Sequence, residues 1–380
     1  MNGYTQVDTA VVGDGLIGLS TAVQLERRGI STAVIGGPAE GQASHAAVGM
    51  LTPACEYDPW MPGEFYDLLK AGLDHYPRFL EELGLAPEEV GHRPTDFTLL
   101  DLAEREESLR ERIGWMEKLG ITCDWLGRAE VCEREPALTP VAFHGAIRIG
   151  NEAVVNPRAL LGALRAGTGV PLLGGGLVRV ADDGARFRLT TGEGDDVVAE
   201  RVVLAAGAWS GTVGRMFDLD VPVCPVKGQI IRLSGEPGLI DSVIFMPSGG
   251  CGSVVERSPG EYVVGTSEEY LRPTADNTAG VIGAILHRLC TVIPAAAEWR
   301  IEETWSGFRP MTSDELPVLD LVHDDRIVVA TGHHRNGVLL APVTGRVVAD
   351  LLEGTDPGLD LSRFAHGRPL RPHTRFATKY

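Results

Sequence analysis

A strand, a glycine-rich turn and a helix near the N-terminus constrain the fold of this chain more than any other feature. The apolar residues 7–12 read as a buried strand, and a segment with an apolar face continues as a helix to Gly29. Between them lies a G-x-G-x-x-G turn made of Gly13, Asp14, Gly15, Leu16, Ile17 and Gly18. Such glycines permit a tight bend, close approach of a pyrophosphate and packing of helix on strand, while free N–H groups face the anion. The pattern predicts a dinucleotide-binding unit.

One part of that pattern is missing. An acidic residue about 20 positions after the glycines normally bonds the ribose hydroxyls, but the second strand, residues 31–35, ends in Gly36 and Gly37. Three arrangements stay open: Glu40 reaches back, backbone groups and water replace the acid, or the nucleotide is held less tightly. The loss weakens an NAD interpretation more than a flavin interpretation, because a flavin cofactor that is buried along most of its length has other anchors.

Further elements can be predicted along the chain. A charged amphipathic helix is expected at residues 99–119, and another helix opens with Asn156 and Pro157. The C-terminal residues 326–330 read as a strand that leads into a loop of glycines, two histidines and an arginine at 331–338, so one site is expected to need both ends of the chain. Strands are also predicted at 178–180, 186–189, 202–204, 229–233 and 262–265, with a helix at 279–290.

The composition excludes several classes of protein. The net charge of -18 over 380 residues argues against nucleic acid or an anionic membrane surface as a partner. No apolar run approaches the roughly 18 residues of a membrane span, and no signal-peptide pattern precedes the first strand, so we expect a cytoplasmic protein. The six cysteines form neither a CxxC pair nor a zinc pattern, which predicts free thiols and no metal site.

Six motifs together resemble the glycine oxidase (ThiO-type) branch of the D-amino-acid oxidase flavoproteins. They occur in the family's order and spacing over nearly the whole chain, at residues 13–18, 43–51, 204–210, 225–229, 305–310 and 332–342. The resemblance implies an α/β protein with a Rossmann-like FAD-binding domain of the glutathione-reductase-like type. A substrate domain of the α+β class, built on a mostly antiparallel sheet, is expected to be inserted into it. We assign residues 1–85, 150–220 and 301–380 to the FAD domain, and 86–149 and 221–300 to the substrate domain.

The resemblance also implies non-covalent FAD, because a covalent link would need a cysteine near Arg309 and none is there. It places Leu16, Ile17, Ala43 and Ser44 along the diphosphate. The remaining cofactor contacts that it implies are Gly36 and Gly37 near the ribose, Val178 at the adenine, Gly207 at a strand end, Val48, Gly49 and Met50 at the isoalloxazine ring, and the closing segment His333, His334, Arg335, Asn336, Gly337, Val338 and Leu339. Which of the two histidines packs near the flavin stays open.

In the family, the arginines that match Arg309 and Arg335 hold the substrate carboxylate, a task that suits the guanidinium fork. A structural salt bridge is the alternative for each. Ser253 stands where the family places a substrate-binding tyrosine, and Cys251, two residues earlier, is a candidate pocket residue. A pocket with serine at this position should be wider or differently polar, which leaves room for a larger amino acid, an N-alkyl glycine or a specialised amine.

The expected activity is oxidation of a small amino acid or amine. Hydride would pass from the substrate Cα to flavin N5, the imine would hydrolyse, and oxygen would reoxidise the flavin to give hydrogen peroxide, with no catalytic acid or base among the side chains. One alternative is a dehydrogenase that uses another electron acceptor, and a second is a non-catalytic member of the family that has lost flavin use. The resemblance implies a homo-oligomer, with a tetramer as one form.

Overall fold

The computed structural model describes residues 4–37, 40–102, 109–139, 142–246, 252–270 and 274–370. The described residues form two sheets, each built from segments that are distant in sequence. The first sheet contains β1 (Tyr4–Val12), β2 (Thr32–Ile35), β7 (Leu172–Leu173), β8 (Leu177–Asp182), β9 (Phe187–Thr191), β10 (Asp196–Leu204), β16 (Val318–Val322) and β17 (Ile327–Thr331). The second contains β3 (Met50–Leu51), β4 (Arg93–Leu102), β5 (Cys123–Gly127), β6 (Phe143–Val154), β11 (Cys224–Ser234), β12 (Val243–Phe245), β13 (Ser253–Ser258), β14 (Glu261–Gly265) and β15 (Arg300–Met311).

The helices lie between and around these strands. They are α1 (Leu16–Arg27), α2 (Ala43–Ala46), α3 (Pro53–Glu56), α4 (Gly63–Glu82), α5 (Ile113–Lys118), α6 (Arg128–Arg134), α7 (Pro157–Gly167), α8 (Ser210–Gly214), α9 (Ala279–Val292) and α10 (Gly337–Glu353). The predicted start of α7 is confirmed, because the Asn156 side chain accepts hydrogen bonds from the backbone N–H groups of Arg158 (3.1 Å) and Ala159 (3.3 Å). No helix of the described residues has both the length and the apolar character of a membrane span.

The centre of the first sheet is parallel, in the order β17-β10-β1-β2-β7. Val11 pairs with Val34 on one side and Val203 on the other, and all three are buried. Such continuous apolar strands need cover on both faces, as is usual for parallel sheets. Part of this cover comes from α1, which packs against α10, and α10 in turn packs against α4. The first and last elements of the chain therefore meet on this sheet.

The second sheet runs in the order β15-β11-β14-β13-β12-β4-β6-β3, with β5 beside β6. Its pairings are antiparallel except for the parallel pair of β12 and β4. This arrangement confirms the predicted fold class of a Rossmann-like unit with a mostly antiparallel second sheet. The proposed domain bounds stay a prediction, since the second sheet also takes residues 50–51, 150–154 and 301–311 from segments that we assigned to the FAD domain.

The predicted helix at residues 99–119 is wrong. Residues up to Leu102 belong to β4, where Leu99 pairs with Ile147 and Leu100 with Ala146, while helical turns occupy Leu109–Arg112 and Ile113–Lys118. Residues 103–108 lie outside the described part. Every residue from 97 to 102 is buried, because β4 lies between β12 and β6. A strand that is buried on both faces lacks polar alternation, so its leucines fitted a helical pattern that cross-strand pairing overrides.

Candidate active site

A cavity of about 840 Å³ lies where the two sheets meet. Its wall includes residues at the C-terminal ends of four parallel strands, namely Val12, Ile35 and Ala330 within their strands and Ala205 directly after β10. Ligands of open α/β sheets bind at this edge, because the loops and helix N-termini that follow the strands converge there. The opposite wall comes from the second sheet, at Gly228 and Ile230 of β11, Ser253 of β13, Gly265 of β14 and Arg309 of β15. The cavity therefore extends from the glycine-rich turn to the antiparallel sheet.

The glycine-rich turn has the close packing that its sequence predicts. A Cβ atom at Gly18 would lie 1.8 Å from the carbonyl oxygen of Gly13, and one at Gly13 would lie 2.2 Å from the carbonyl oxygen of Ala205. The backbone N–H of Leu16 donates to Oγ of Ser44 at 2.9 Å, which fixes the helix start against the 43–51 segment. Gly13, Gly15 and Ser44 all line the cavity, and a Cβ atom at Gly15 would lie 3.0 Å from Oγ of Ser44, so the space beside this turn fits the pyrophosphate of a dinucleotide such as FAD.

Most of the predicted cofactor residues line the cavity, but some do not. The lining set is Gly13, Gly15, Ile17, Gly37, Ala43, Ser44, Val48, Gly49, Met50, Gly207, His333, His334, Arg335, Gly337 and Val338. Leu16, Gly18, Gly36, Asn336 and Leu339 are buried behind this wall. Val178, for which the resemblance implies a backbone contact with the adenine, is 55% exposed, and the cavity wall at this place consists of Gly176 and Leu177.

Four successive carbonyl groups of the 43–51 segment are bound from the side of the second sheet and α7. Arg158 Nε donates to the carbonyl of His45 at 3.0 Å, and Trp305 Nε1 donates to that of Ala46 at 3.1 Å. Arg257 Nη2 donates to the next two carbonyls, of Ala47 (3.4 Å) and Val48 (3.1 Å). In a trans peptide the N–H points opposite to the C=O.

The N–H groups of Val48 and Gly49 therefore face away from Arg257, and both residues line the cavity. Burial lowers the pKa of Arg257 to about 10, so it remains a cation at neutral pH. Arg158 also stacks on Trp305, with its guanidinium carbon 4.3 Å from the ring centroid. Trp305 belongs to a motif that the sequence displays, whereas Arg257 and Arg158 carry no local signal, because only the tertiary fold brings them to this segment.

Arg309 and Arg335 both line the cavity, but their surroundings differ. Arg309 lies inside β15, and it donates to the carbonyl of Ser267 at 3.0 Å and to Oγ1 of Thr266. Burial lowers its pKa. Among the described residues, no carboxylate lies within ion-pair distance of its guanidinium. A Cβ atom at Gly228 would lie 2.6 Å from Nη2 of Arg309, which explains the glycine of the 225–229 motif.

Arg335, in contrast, faces two carboxylates. Its Nη2 lies 2.9 Å from Oε2 of Glu56, without the alignment of a hydrogen bond, and its Nη1 lies 3.8 Å from Oε1 of Glu268. The charge of Glu56 raises the pKa of Arg335 above its ordinary value. Both glutamates line the cavity, as do Asp58 and Arg112, which form an ion pair at 2.7 Å. Sequence reasoning missed these four residues; Glu56 and Asp58 follow the 43–51 motif closely, which was the available signal.

Ser253 lies in the cavity wall, where its Oγ donates to the carbonyl of Gly265 at 3.3 Å. Cys251 lies outside the described residues. The other five cysteines form no disulfide within the described part of the chain; they are Cys55, Cys123, Cys132, Cys224 and Cys290. No group of three potential metal ligands occurs among the described histidines, cysteines and carboxylates.

The two histidines of the closing segment are both buried. His333 Nε2 lies 3.1 Å from Oγ1 of Thr344, and burial lowers the pKa of His333 to about 3, so the ring is neutral. His334 Nδ1 lies 3.8 Å from Oε2 of Glu315. The next residues start the 17-residue helix α10, and Gly337 and Val338 place its first turn in the cavity wall. The positive end of the helix dipole therefore faces the cavity and favours negative charge there.

Comparisons with known proteins find relatives that are similar over nearly the whole of this chain. The chain is 32% identical to glycine oxidase from Geobacillus kaustophilus, over 96% of this chain and 97% of that protein. The crystal structure of glycine oxidase from the same organism superimposes with a TM-score of 0.89, at 29% identity over 97% of this chain and 100% of the other. The chain is also 33% identical to the bifunctional protein ThiO/ThiG of Nostoc sp. over 95% of its length, although it spans only 55% of that relative.

The family model described as FAD dependent oxidoreductase (DAO) matches residues 8–351. That range begins in β1 and ends in α10, so it includes the glycine-rich turn, both arginines and the closing segment. The match therefore covers every wall of the cavity described above. From the extent of this match, the chain belongs to the DAO family of FAD-dependent oxidoreductases.

Proposed function

We propose that the protein is an FAD-dependent oxidase that deaminates a small amino acid or amine. The observation that carries the proposal is one continuous cavity that joins the glycine-rich turn to the guanidinium of Arg309. Bound FAD would supply the redox chemistry, namely uptake of a hydride from the substrate Cα and transfer of the two electrons to oxygen, with hydrogen peroxide as the product. The imine product then reacts with water to give an oxo compound and ammonia, or an amine if the substrate nitrogen carries an alkyl group.

The side chains contribute binding and orientation rather than proton transfer. Arg309 is a half-buried cation, and among the described residues no carboxylate lies within ion-pair distance of it, so a substrate carboxylate could pair with it directly. Its contacts with Ser267 and Thr266 hold the guanidinium fork in one orientation before the substrate arrives. Arg335 presents a second guanidinium that Glu56 and Glu268 already share. Positioning of this kind supplies a large part of catalysis when the cofactor carries the electron transfer.

The cavity wall at Ser253 indicates the size of the substrate. A serine side chain leaves space that a tyrosine would fill, and the Ser253 hydroxyl is already directed at the carbonyl of Gly265. We therefore propose that the substrate carries more than the single methylene of glycine, either on Cα or on nitrogen. A larger amino acid, an N-alkyl glycine and a specialised amine all meet this condition.

The test is anaerobic mixing of the yellow holoprotein with a panel of amino acids, N-alkyl glycines and their decarboxylated amine counterparts. The proposal expects bleaching of the flavin absorbance by at least one carboxylate substrate, then rapid recovery and stoichiometric peroxide when oxygen is admitted. Arg309→Met should slow bleaching by carboxylates at least 30-fold, the equivalent of roughly 2 kcal/mol or more for a broken charge pair. The matched control Arg300→Met removes an exposed arginine from the same strand and should change nothing.

Three results would overturn the proposal, each in its own way. Reduced flavin that passes electrons to a quinone but is stable in oxygen would identify a dehydrogenase. A colourless protein that FAD cannot reconstitute would identify a non-catalytic member of the family. Equal loss of activity toward carboxylates and their decarboxylated amines in Arg309→Met would make this arginine structural.

A further inference from the structure

The space beside Gly36, where a ribose-binding acid is expected, is occupied by another carboxylate. A Cβ atom at residue 36 would lie 2.7 Å from Oδ2 and 2.8 Å from Cγ of Asp14, the second residue of the glycine-rich turn. In a glutamate, the carboxyl carbon lies roughly 2.5 Å from Cβ, since two C–C bonds of about 1.5 Å separate them. The Asp14 carboxyl group is therefore at the distance from this position at which a glutamate side chain built there would place its own carboxyl group.

The other candidates for ribose binding at this place are engaged or distant. The backbone N–H of Gly36 donates to the carbonyl of Leu173 at 2.8 Å, and the Gly36 carbonyl accepts from the N–H of Gly176 at 2.7 Å. Glu40 is exposed and does not line the cavity, whereas Asp14 does. Both backbone groups of Gly36 are therefore used within the fold, and Glu40 lies away from the cavity, whereas the Asp14 carboxylate lines it.

The Asp14 carboxylate is fixed in place from two sides. Arg165 Nη2 donates to Oδ2 at 2.6 Å, and Gln42 Nε2 donates to Oδ1 at 3.1 Å. The positive charge of Arg165 offsets the presence of a carboxylate next to the expected diphosphate. A carboxylate has about four acceptor sites, so two remain after these contacts. The two adjacent hydroxyls of a ribose require two acceptor positions of this kind.

We propose that Asp14 is the ribose-binding acid of this protein, and that its carboxylate accepts hydrogen bonds from the adenosine ribose hydroxyls of FAD. The acid lies in the glycine-rich turn instead of at the end of β2, and Gly36, which has no side chain, leaves room for it. The two positions are therefore coupled. A glutamate at position 36 would collide with Asp14 and place two negative charges at one site, so Gly36→Glu should weaken FAD binding, although it restores the usual acid.

The experiment measures nucleotide affinity, which does not depend on substrate turnover. Apo-protein is prepared from the holoprotein, and the Kd for FAD is obtained from the quenching of flavin fluorescence. Asp14→Ala should raise this Kd about 10- to 100-fold, the range expected for hydrogen bonds to a charged group. Gly36→Glu should also raise it. The double variant Asp14→Gly/Gly36→Glu should recover most of the loss, because the glutamate then has the space that Asp14 occupied.

A second measurement separates ribose binding from a structural role of Asp14. ADP and 2′,3′-dideoxy-ADP are compared as competitors of FAD; wild type should prefer ADP about 10-fold or more, and Asp14→Ala should show no preference. If Asp14 only anchors Arg165, the variant would lose affinity for both nucleotides equally, which would overturn the proposal. The control Glu40→Ala should keep the preference. Loss of the preference in Glu40→Ala would show that Glu40 reaches the ribose, and the proposal would then be wrong.

Discussion

Glu56→Gln should tighten the binding of carboxylate ligands, although it removes a charged residue from the cavity wall. In the free protein, Glu56 Oε2 lies 2.9 Å from Nη2 of Arg335, and the Glu56 side chain is 7% exposed. A substrate carboxylate that approaches Arg335 must therefore share the guanidinium with a resident carboxylate. Glutamine keeps the shape of the side chain but not its charge, so Arg335 becomes available to the ligand.

The expected size of this effect follows from Coulomb's law. Two carboxylates on one guanidinium lie roughly 5–6 Å apart, and at an effective dielectric constant of about 20 their repulsion is about 3 kcal/mol. The side chain of Arg335 is 26% exposed, so water screens part of this repulsion. We expect a net gain of about 1.4–2.8 kcal/mol, or 10- to 100-fold in Kd.

The assay is titration of the holoprotein with acetate, followed by the perturbation of the flavin spectrum. Glu56→Gln should lower the acetate Kd, while the Kd of acetamide, which carries no charge, should not change. The control Glu302→Gln removes the same charge from the start of β15, outside the cavity, and should leave both values as they are in wild type. An unchanged or higher acetate Kd in a fully folded Glu56→Gln variant would show that Arg335 does not bind the ligand carboxylate, and that its pair with Glu56 is structural.

Two further predictions concern groups behind the cavity wall. Arg257→Met removes the donor to the carbonyls of Ala47 and Val48, so the Kd for FAD should rise about 10-fold, with partial recovery in Arg257→Lys; an unchanged Kd and an unchanged flavin midpoint potential would contradict this role. Burial raises the pKa of Glu152 from 4.5 to about 8, so the folded state holds the proton more tightly than the unfolded state. The free energy of unfolding should therefore fall with rising pH, by up to about 1.4 kcal/mol per unit between pH 4.5 and 8, and urea titrations should show a flatter profile in Glu152→Gln; parallel profiles would contradict the prediction.

Local sequence determined those parts of the molecule in which neighbouring residues carry all the information. Within the strand and turn at residues 7–18, the need for glycine is set locally, because a Cβ atom at Gly18 would lie 1.8 Å from the carbonyl oxygen of Gly13 in the same turn. The start of α7 is similar, since Asn156 and Pro157 cap and begin the helix without help from distant residues. The motifs at the two ends also predicted a shared site, since strand ends of one parallel sheet meet at one edge.

Tertiary structure decided what depends on residues that are distant in sequence. The apolar pattern of residues 99–119 is compatible with a helix and with a buried strand. Pairing of β4 with β6 made its first part a strand. The charge environment of Arg335 depends on Glu56 and Glu268, which lie on different elements. No local pattern indicates these contacts.

The position of the ribose-binding acid shows most clearly what local sequence determines and what tertiary structure decides. The sequence shows that the end of β2 lacks an acid, and it shows an aspartate in the glycine-rich turn, but the two facts are 22 positions apart. Only the folded chain brings the Asp14 carboxyl carbon to 2.8 Å from the Cβ position of residue 36. The physical reason is that hydrogen bonds and steric exclusion act over a few ångströms, whereas sequence order determines distance only within one element.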